Sequence, residues 1–230
     1  MPSRPVYALI VAGGSGARMG TAVPKQFLDL CGKPVLYYSI QAFAEALKNV
    51  RIIVVLPEQQ LVIGQQMLAE FAHLPELHFV AGGATRYASV AAGLAKVPAG
   101  AIVLVHDGAR PLVTSALIRR CYEGACITGS AVPVVPVADS IREVSGYNSR
   151  AIARESLRVV QTPQAFESAT LKEAFRQPYL PAFTDEASVV EWTGARVNLV
   201  EGDRSNLKIT TMEDLLIAAA LLQNRYEDNR

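Results

Sequence analysis

A doubly wound α/β fold on a mostly parallel sheet is the architecture this sequence predicts. Two observations carry the prediction. Short β-branched runs alternate with longer amphipathic stretches through the first 137 residues, and the runs are apolar throughout instead of alternating with polar positions. Uninterrupted apolar strands are what a parallel sheet covered by helices on both faces requires. Half of the 230 residues are apolar, enough for one well-packed domain with or without an excursion.

The elements follow in chain order. Strands are expected at 6–11, 51–56, 77–80, 102–106 and 131–137, with helices at 36–46, 59–72, 87–96 and 115–126 between them. After Val137 the rhythm breaks. Segment 139–143, a turn at Ser145-Gly146-Tyr147-Asn148, and segment 151–160 read as two extended stretches about a polar tip. They hold too few apolar residues to bury themselves, so this arm needs a partner. Beyond it come a helix near 168–176, another opened by Thr184-Asp185-Glu186, a strand at 196–200 and a short strand at 206–209. A last helix starts at Thr211, and Thr210 with Glu213 has the spacing of a capping box. One domain over 1–230, with 138–160 as an extended arm, is the expected organisation; no internal repeat is visible.

Bulk properties narrow the function. The net charge of +1, with scattered Lys and Arg, gives no basic field for a nucleic acid polymer. Uncharged apolar runs fall far short of the ~20 residues of a membrane span, and Met1-Pro2-Ser3-Arg4-Pro5 has no signal-peptide h-region behind it. A soluble, cytoplasmic chain is expected. Cys31, Cys121 and Cys126 lack CxxC spacing, which suits reduced thiols with packing roles, and His73, His78 and His106 are too scattered to suggest a zinc site.

The chemistry begins where the first strand ends. Val11-Ala12-Gly13-Gly14-Ser15-Gly16-Ala17-Arg18-Met19-Gly20, then Pro24-Lys25-Gln26-Phe27, is a glycine-rich loop carrying two cations. Glycines let backbone N–H groups approach phosphate oxygens, while a guanidinium and an ammonium balance a triphosphate and its departing pyrophosphate. A dinucleotide fingerprint is excluded because, counting from Gly14, the third glycine position holds Met19. A P-loop is excluded because Gln26, not Ser or Thr, follows Lys25. Asp107, in Asp107-Gly108-Ala109-Arg110-Pro111, would emerge from a strand end into the same crevice, where a carboxylate among cations suits Mg²⁺. Gly82-Gly83-Ala84-Thr85-Arg86, leading through Ser89 into a helix, leaves room for a base to lie against backbone. Composition alone reads Arg154 and Lys208 as solvated surface charges.

Taken together, the glycine loop, Val105-His106-Asp107-Gly108-Ala109-Arg110-Pro111, Gln161-Thr162-Pro163-Gln164, Thr184-Asp185-Glu186-Ala187-Ser188 and Asn206-Leu207-Lys208-Ile209-Thr210 resemble the 2-C-methyl-D-erythritol 4-phosphate cytidylyltransferase family, over nearly the whole chain. The resemblance implies a Rossmann-like sheet with a protruding β-arm used for dimerisation. It implies transfer of CMP from CTP to methylerythritol phosphate with release of pyrophosphate, in isoprenoid precursor synthesis. Carried over by position, Arg18, Lys25 and Lys208 would face the triphosphate and its transition state. Ala12, Gly13, Gly14, Gly16, Gly83 and Ser89 would hold the nucleotide, and Asp107 would hold Mg²⁺ and the polyol. Arg110 and Thr184 would approach the polyol phosphate. The family's arm crosses to a second subunit, so Ser140 and Arg154 would act in the neighbour's site of a homodimer. Family members commonly carry Thr for Ser140, Lys for Arg142 and Ala for Val11; the hydroxyl and the charge survive here.

The attacking phosphate monoester, with a second pKa of about 6, is mostly dianionic near neutrality and needs no side-chain base. Catalysis then reduces to positioning and charge neutralisation by Mg²⁺ and the cations Arg18, Lys25, Arg154 and Lys208. Alternatives are a ribitol 5-phosphate cytidylyltransferase, a guanylyl or uridylyl transferase acting on a hexose 1-phosphate, and a module that binds CTP without turning it over.

Overall fold

Runs of Val, Ile and Leu with no polar interruption are stable only when both faces are covered, and they form the centre of the sheet. In the computed structural model, residues 4–14 and 23–228 are described. The elements are β1 (Val6–Val11), β2 (Asp29–Leu30), β3 (Lys33–Pro34), α1 (Val35–Ala46), β4 (Arg51–Leu56), α2 (Leu61–Ala69), β5 (Leu77–Ala81), α3 (Arg86–Leu94), β6 (Ile102–Asp107) and α4 (Ser115–Thr128). They continue with β7 (Ser130–Pro136), β8 (Ile141–Ser145), β9 (Asn148–Ile152), β10 (Arg158–Val160), β11 (Gln164–Glu167), α5 (Ser168–Ala174), α6 (Glu186–Glu191), β12 (Leu199–Glu201) and α7 (Met212–Asp228).

The main sheet runs β5-β4-β1-β6-β11-β7, with β10 and β12 both on β7. β5, β4, β1 and β6 are mutually parallel; β11 lies antiparallel between β6 and β7. From β1 the chain steps outward through β4 to β5, then returns to the other side of β1 as β6. That reversal places a crevice beyond the carboxyl ends of β1 and β6, where open α/β sheets bind ligands. The register fixes its floor, because Val11 and Asp107 are ladder partners. Alternate residues feed two cores. Ala8 and Ile10 pack with α1, α4 and α7, whereas Tyr7, Leu9 and Val11 pack with α3, α5 and α6.

Several expectations need correction. β11 is a strand where the sequence pattern gives none. The expected strand at 206–209 is a loop. It is entered by a turn, with Asn206 N–H donating to the Asp203 carbonyl at 3.0 Å and Leu207 N–H to the Ser205 carbonyl at 2.8 Å. Ile209 N–H reaches the Ala109 carbonyl at 2.8 Å, but no ladder develops from that bond. Segment 158–160 belongs to the main sheet through β7, so the free arm is only the β8–β9 hairpin. Strand β12 begins at Leu199 instead of 196. Packing accounts for Cys121 alone, which is buried. Cys31 is exposed because Cys31 and Gly32, at φ of 52° and 83°, form the tight turn between β2 and β3, and Cys126 lies on the outer side of α4.

The cap of α7 sits one residue later than its spacing suggested. Thr211 Oγ1 accepts from Asp214 N at 3.2 Å, and Asp214 Oδ2 accepts from Thr211 N at 2.9 Å and from Thr210 N and Oγ1 at 2.8 and 2.7 Å. Partial burial pushes the Asp214 carboxyl up, but these hydrogen bonds outweigh it and hold it below the usual range. Asp214→Ala should cost about 1 kcal/mol in urea unfolding at neutral pH. Because the folded pKa is depressed, that contribution is complete above the ordinary Asp pKa and is lost as pH falls through the folded value. Equal unfolding midpoints for the two proteins at neutral pH would refute the cap.

The β8–β9 hairpin pairs only with itself, from Ile141 opposite Ile152 to Ser145 opposite Asn148. Nearly all its side chains are exposed, with Tyr147 fully exposed at the tip. A lone two-stranded hairpin is at best marginal in water.

Candidate active site

The first wall of the crevice is the chain leaving β1. Ala12 N–H donates to the Val55 carbonyl at 2.9 Å, which turns the loop over β4 and leaves Gly13 and Gly14 exposed. Lys25 opens a single 3₁₀ turn behind Pro24, and its ammonium donates to the Ile209 carbonyl at 3.1 Å. A Cβ at position 14 would stand 3.4 Å from Lys25 Cε, so the lysine stem lies over Gly14. Gln26 beside it is buried.

The opposite wall is the turn from β5 into α3. Thr85 caps α3 by accepting from Ala88 N at 3.0 Å. Ser89 Oγ donates to the Thr85 carbonyl at 2.9 Å and accepts from Gly83 N at 3.2 Å, tying helix to turn. Glycine is required here by close approach, since a Cβ at Gly82 would fall 2.8 Å from Ser89 Oγ and one at Gly83 2.5 Å from Ala88 Cβ. Between the walls is a cavity of about 400 Å³, lined also by Asp107, Ala109 and Lys208.

Asp107, at the end of β6, is 7% exposed and meets three cations. Its Oδ1 takes Arg86 Nε at 3.1 Å; its Oδ2 takes Lys208 Nζ at 2.7 Å, with Arg110 Nε at 3.8 Å. Burial pushes this carboxyl up, but Arg86, Lys208 and Arg110 together outweigh it and leave it far below the usual carboxylate range. It is a fixed anion. Arg86 is in turn gripped by the fully buried Glu186, through Nη1 at 2.5 Å and Nη2 at 3.0 Å.

His106 braces the same turn from below. Thr162 Oγ1 accepts from Asp107 N at 3.1 Å and lies 3.0 Å from His106 Nδ1, while His106 Nε2 lies 3.3 Å from the Arg110 carbonyl. Complete burial, aided by Arg110 and opposed by Asp107, pushes His106 down to about 4, so the imidazole is neutral at physiological pH. A consistent tautomer has Thr162 donating to Nδ1 and Nε2–H donating to the carbonyl.

A second cavity of about 200 Å³ adjoins the first and includes Arg110, Thr162, Gln164, Thr184 and Asp185. Arg86, Asp107 and Lys208 line both cavities and form the seam between them.

The structure thus gathers Ala12, Gly13, Gly14, Lys25, Gly83, Ser89, Asp107 and Lys208 around the first cavity, and Arg110 and Thr184 at the second. Gly16 and Arg18 lie outside the described residues. Ser140 and Arg154 line neither cavity of this chain; both are exposed, and Arg154 donates to the carbonyl of Ala138 at the base of its own arm. Sequence reasoning missed Arg86, Thr162 and Glu186. A signal for Arg86 was available, because a cation in the first turn of a helix is opposed by the helix dipole and requires an anion to hold it. Glu186, by contrast, is at home in a first turn and is indistinguishable in sequence from an ordinary helix start.

Among the described residues no three His, Cys, Asp or Glu side chains converge as a metal cage. Asp107 is the one carboxylate that the described residues place on the first cavity, a donor set that fits a hard divalent cation held mainly by substrate phosphates and water.

Residues 6–224 match the family described as IspD, 2-C-methyl-D-erythritol 4-phosphate cytidylyltransferase. An enzyme of that name from Bacteroides thetaiotaomicron is 48% identical, over 93% of this chain and 98% of its own length. Another from Phocaeicola vulgatus is 46% identical, over 94% and 99%. The crystal structure of 2-C-methyl-D-erythritol 4-phosphate cytidylyltransferase from Thermus thermophilus superposes with a TM-score of 0.76 at 38% identity, covering 95% of this chain and 99% of that one.

Proposed function

Because the chain belongs to the 2-C-methyl-D-erythritol 4-phosphate cytidylyltransferase family, we infer that its two joined cavities bring CTP and methylerythritol phosphate together at the seam of Arg86, Asp107 and Lys208. It is a nucleotidyltransferase, moving CMP from CTP to the polyol phosphate and releasing pyrophosphate. The observation that carries the assignment of sites is the seam itself. A bond between two substrates forms where their cavities meet, and there the chain has placed cations.

In this reading the backbone of Ala12, Gly13, Gly14 and Gly16 cradles the triphosphate, and Lys25 and Arg18 neutralise it. Gly83 and Ser89 receive the cytosine. Arg110 and Thr184 take the acceptor phosphate, and Lys208 steadies both anions. Asp107, with the substrate phosphates, would hold Mg²⁺, which would supply further neutralisation of the pyrophosphate. No described side chain has to remove a proton, since the attacking phosphate is already ionised near neutrality. Ser140 and Arg154 reach the site of a neighbouring subunit in a homodimer, which gives the exposed hairpin the surface it lacks. No described helix is long and apolar enough to cross a membrane; a cytoplasmic location suits the reduced thiols.

Pyrophosphate release with CTP, measured against a panel of polyol phosphates, tests the reading. Methylerythritol phosphate should be the preferred acceptor; faster turnover of ribitol 5-phosphate would reassign the enzyme, and no release with any acceptor would leave only a CTP-binding module. Nucleotide choice should follow the close-packed wall at Gly82, Gly83 and Ser89. CTP is expected to outperform ATP and GTP in kcat/KM by at least about tenfold, because a purine would have to displace backbone there. Equal use of ATP would sink the base-pocket assignment.

A further inference from the structure

A carboxylate with no exposed surface demands an explanation. Glu186 is such a group, and both of its oxygens are taken by the guanidinium of Arg86, a residue 100 positions away. Stability does not explain it, since a buried ion pair is often no better than a well-packed apolar pair of similar volume. What the pair does provide is direction. A bidentate fork fixes the plane of a guanidinium as a single ion contact cannot.

Arg86 needs that fixing. It is the first residue of α3, where the helix dipole repels a cation, and a side chain on such a helix end would otherwise turn towards solvent. Glu186 is itself held firmly. Asp185 accepts from Ser188 N at 2.9 Å to cap α6, and Gln164 joins β11 to that cap by donating to Asp185 Oδ2 and accepting from Ala187 N, each at 2.9 Å. The rigid sheet therefore sets Glu186, Glu186 sets Arg86, and Arg86 Nε holds Asp107 Oδ1 at 3.1 Å on the seam.

We propose that Glu186 is a positioning residue for the transfer, acting through Arg86 to fix the orientation of Asp107 and the charge at the seam. The proposal rests on the reading of the crevice as the site where CTP and methylerythritol phosphate react. Arg86 holds Asp107 Oδ1 and so fixes the direction of Oδ2, the oxygen that faces Lys208 and Arg110 and exchanges partners when substrates arrive.

Glu186→Asp keeps the charge but withdraws the fork by one methylene. If Glu186 positions Arg86, this variant folds, binds CTP about as well as wild type, and loses on the order of 10²-fold in kcat, the size expected for a misplacement of about 1 Å. Wild-type kcat in folded Glu186→Asp would overturn the proposal, because charge balance alone would then suffice. A second test is the cycle of Arg86→Met, Glu186→Leu and the double variant, each checked for native circular dichroism. The double variant, with both charges gone, should be folded and no slower than Arg86→Met alone. Losses that multiply would show that Glu186 acts by another route, and a double variant as fast as wild type would show that neither residue matters to turnover. Wild-type enzyme measured in parallel separates the two levels: failure to turn over methylerythritol phosphate refutes the functional reading, whereas normal wild-type turnover with the contrary variant results refutes the positioning role only.

Discussion

Lys25→Ala should lower kcat by about 10²–10³-fold, equivalent to about 3–4 kcal/mol of barrier, while CTP affinity should change far less. The asymmetry follows from where charge grows. In bound CTP the terminal phosphates are already anionic, but the bond to the α-phosphorus breaks with further charge moving onto the departing pyrophosphate. A cation fixed over the glycine loop meets that increment. Lys25 is fixed there by its bond to the Ile209 carbonyl and by the stem lying over Gly14, so little reorganisation accompanies the reaction. Steady-state kinetics alongside calorimetric CTP binding separates the two quantities. A raised KM with unchanged kcat would make Lys25 a uniform binder of the ground state.

The second large effect is expected from mixing two inactive proteins. Within one chain Arg154 stands just beyond β9 and lines neither cavity, so if it acts in catalysis it does so in a neighbour. Arg154→Ala and Lys25→Ala should each be nearly inactive. After subunit exchange, a heterodimer has one site with both lesions and one with neither, and activity should return to about half the wild-type value per heterodimer by site counting. If both residues served the same chain's site, every site would keep one lesion and mixing would restore nothing. Exchange is monitored independently by labelled subunits, so absence of recovery in exchanged material refutes a role across the interface.

How much of this was legible beforehand depended on how each residue is used. β1 and β4 matched their expected spans because every residue from Val6 to Val11 and nearly all of β4 is buried on both sides, leaving an unbroken apolar run. β11 was hidden. Its Gln164 is buried for its hydrogen bonds to α6 and not for hydrophobicity, so the strand carries no apolar pattern. The loop at 206–209 erred the other way: Leu207 and Ile209 alternate like a strand, yet Asn206 spends its side chain on the Thr162 carbonyl at 2.8 Å and no ladder forms. Residues of the glycine loop and the turn after β6 could be placed because they stand at strand ends beside glycines. Arg86 and Glu186 could not be paired from sequence, because nothing local links two residues 100 positions apart whose helices are brought together by packing on the same face of the sheet.

The antiparallel insertion of β11 has a consequence for how the enzyme can change. It splits the sheet into a parallel half, β5 to β6, whose loops line the first cavity, and a mixed half whose strands and following turns bring Gln161, Thr162, Gln164 and Thr184 to the second. Only Asp107 and its cations straddle the division. Thr162 braces Asp107 and His106, and Gln164 braces α6 and with it Glu186, so on the proposed reading a change at either would also disturb the seam, whereas Thr184 is tied to neither and is where acceptor range can be altered with least effect on the nucleotide side.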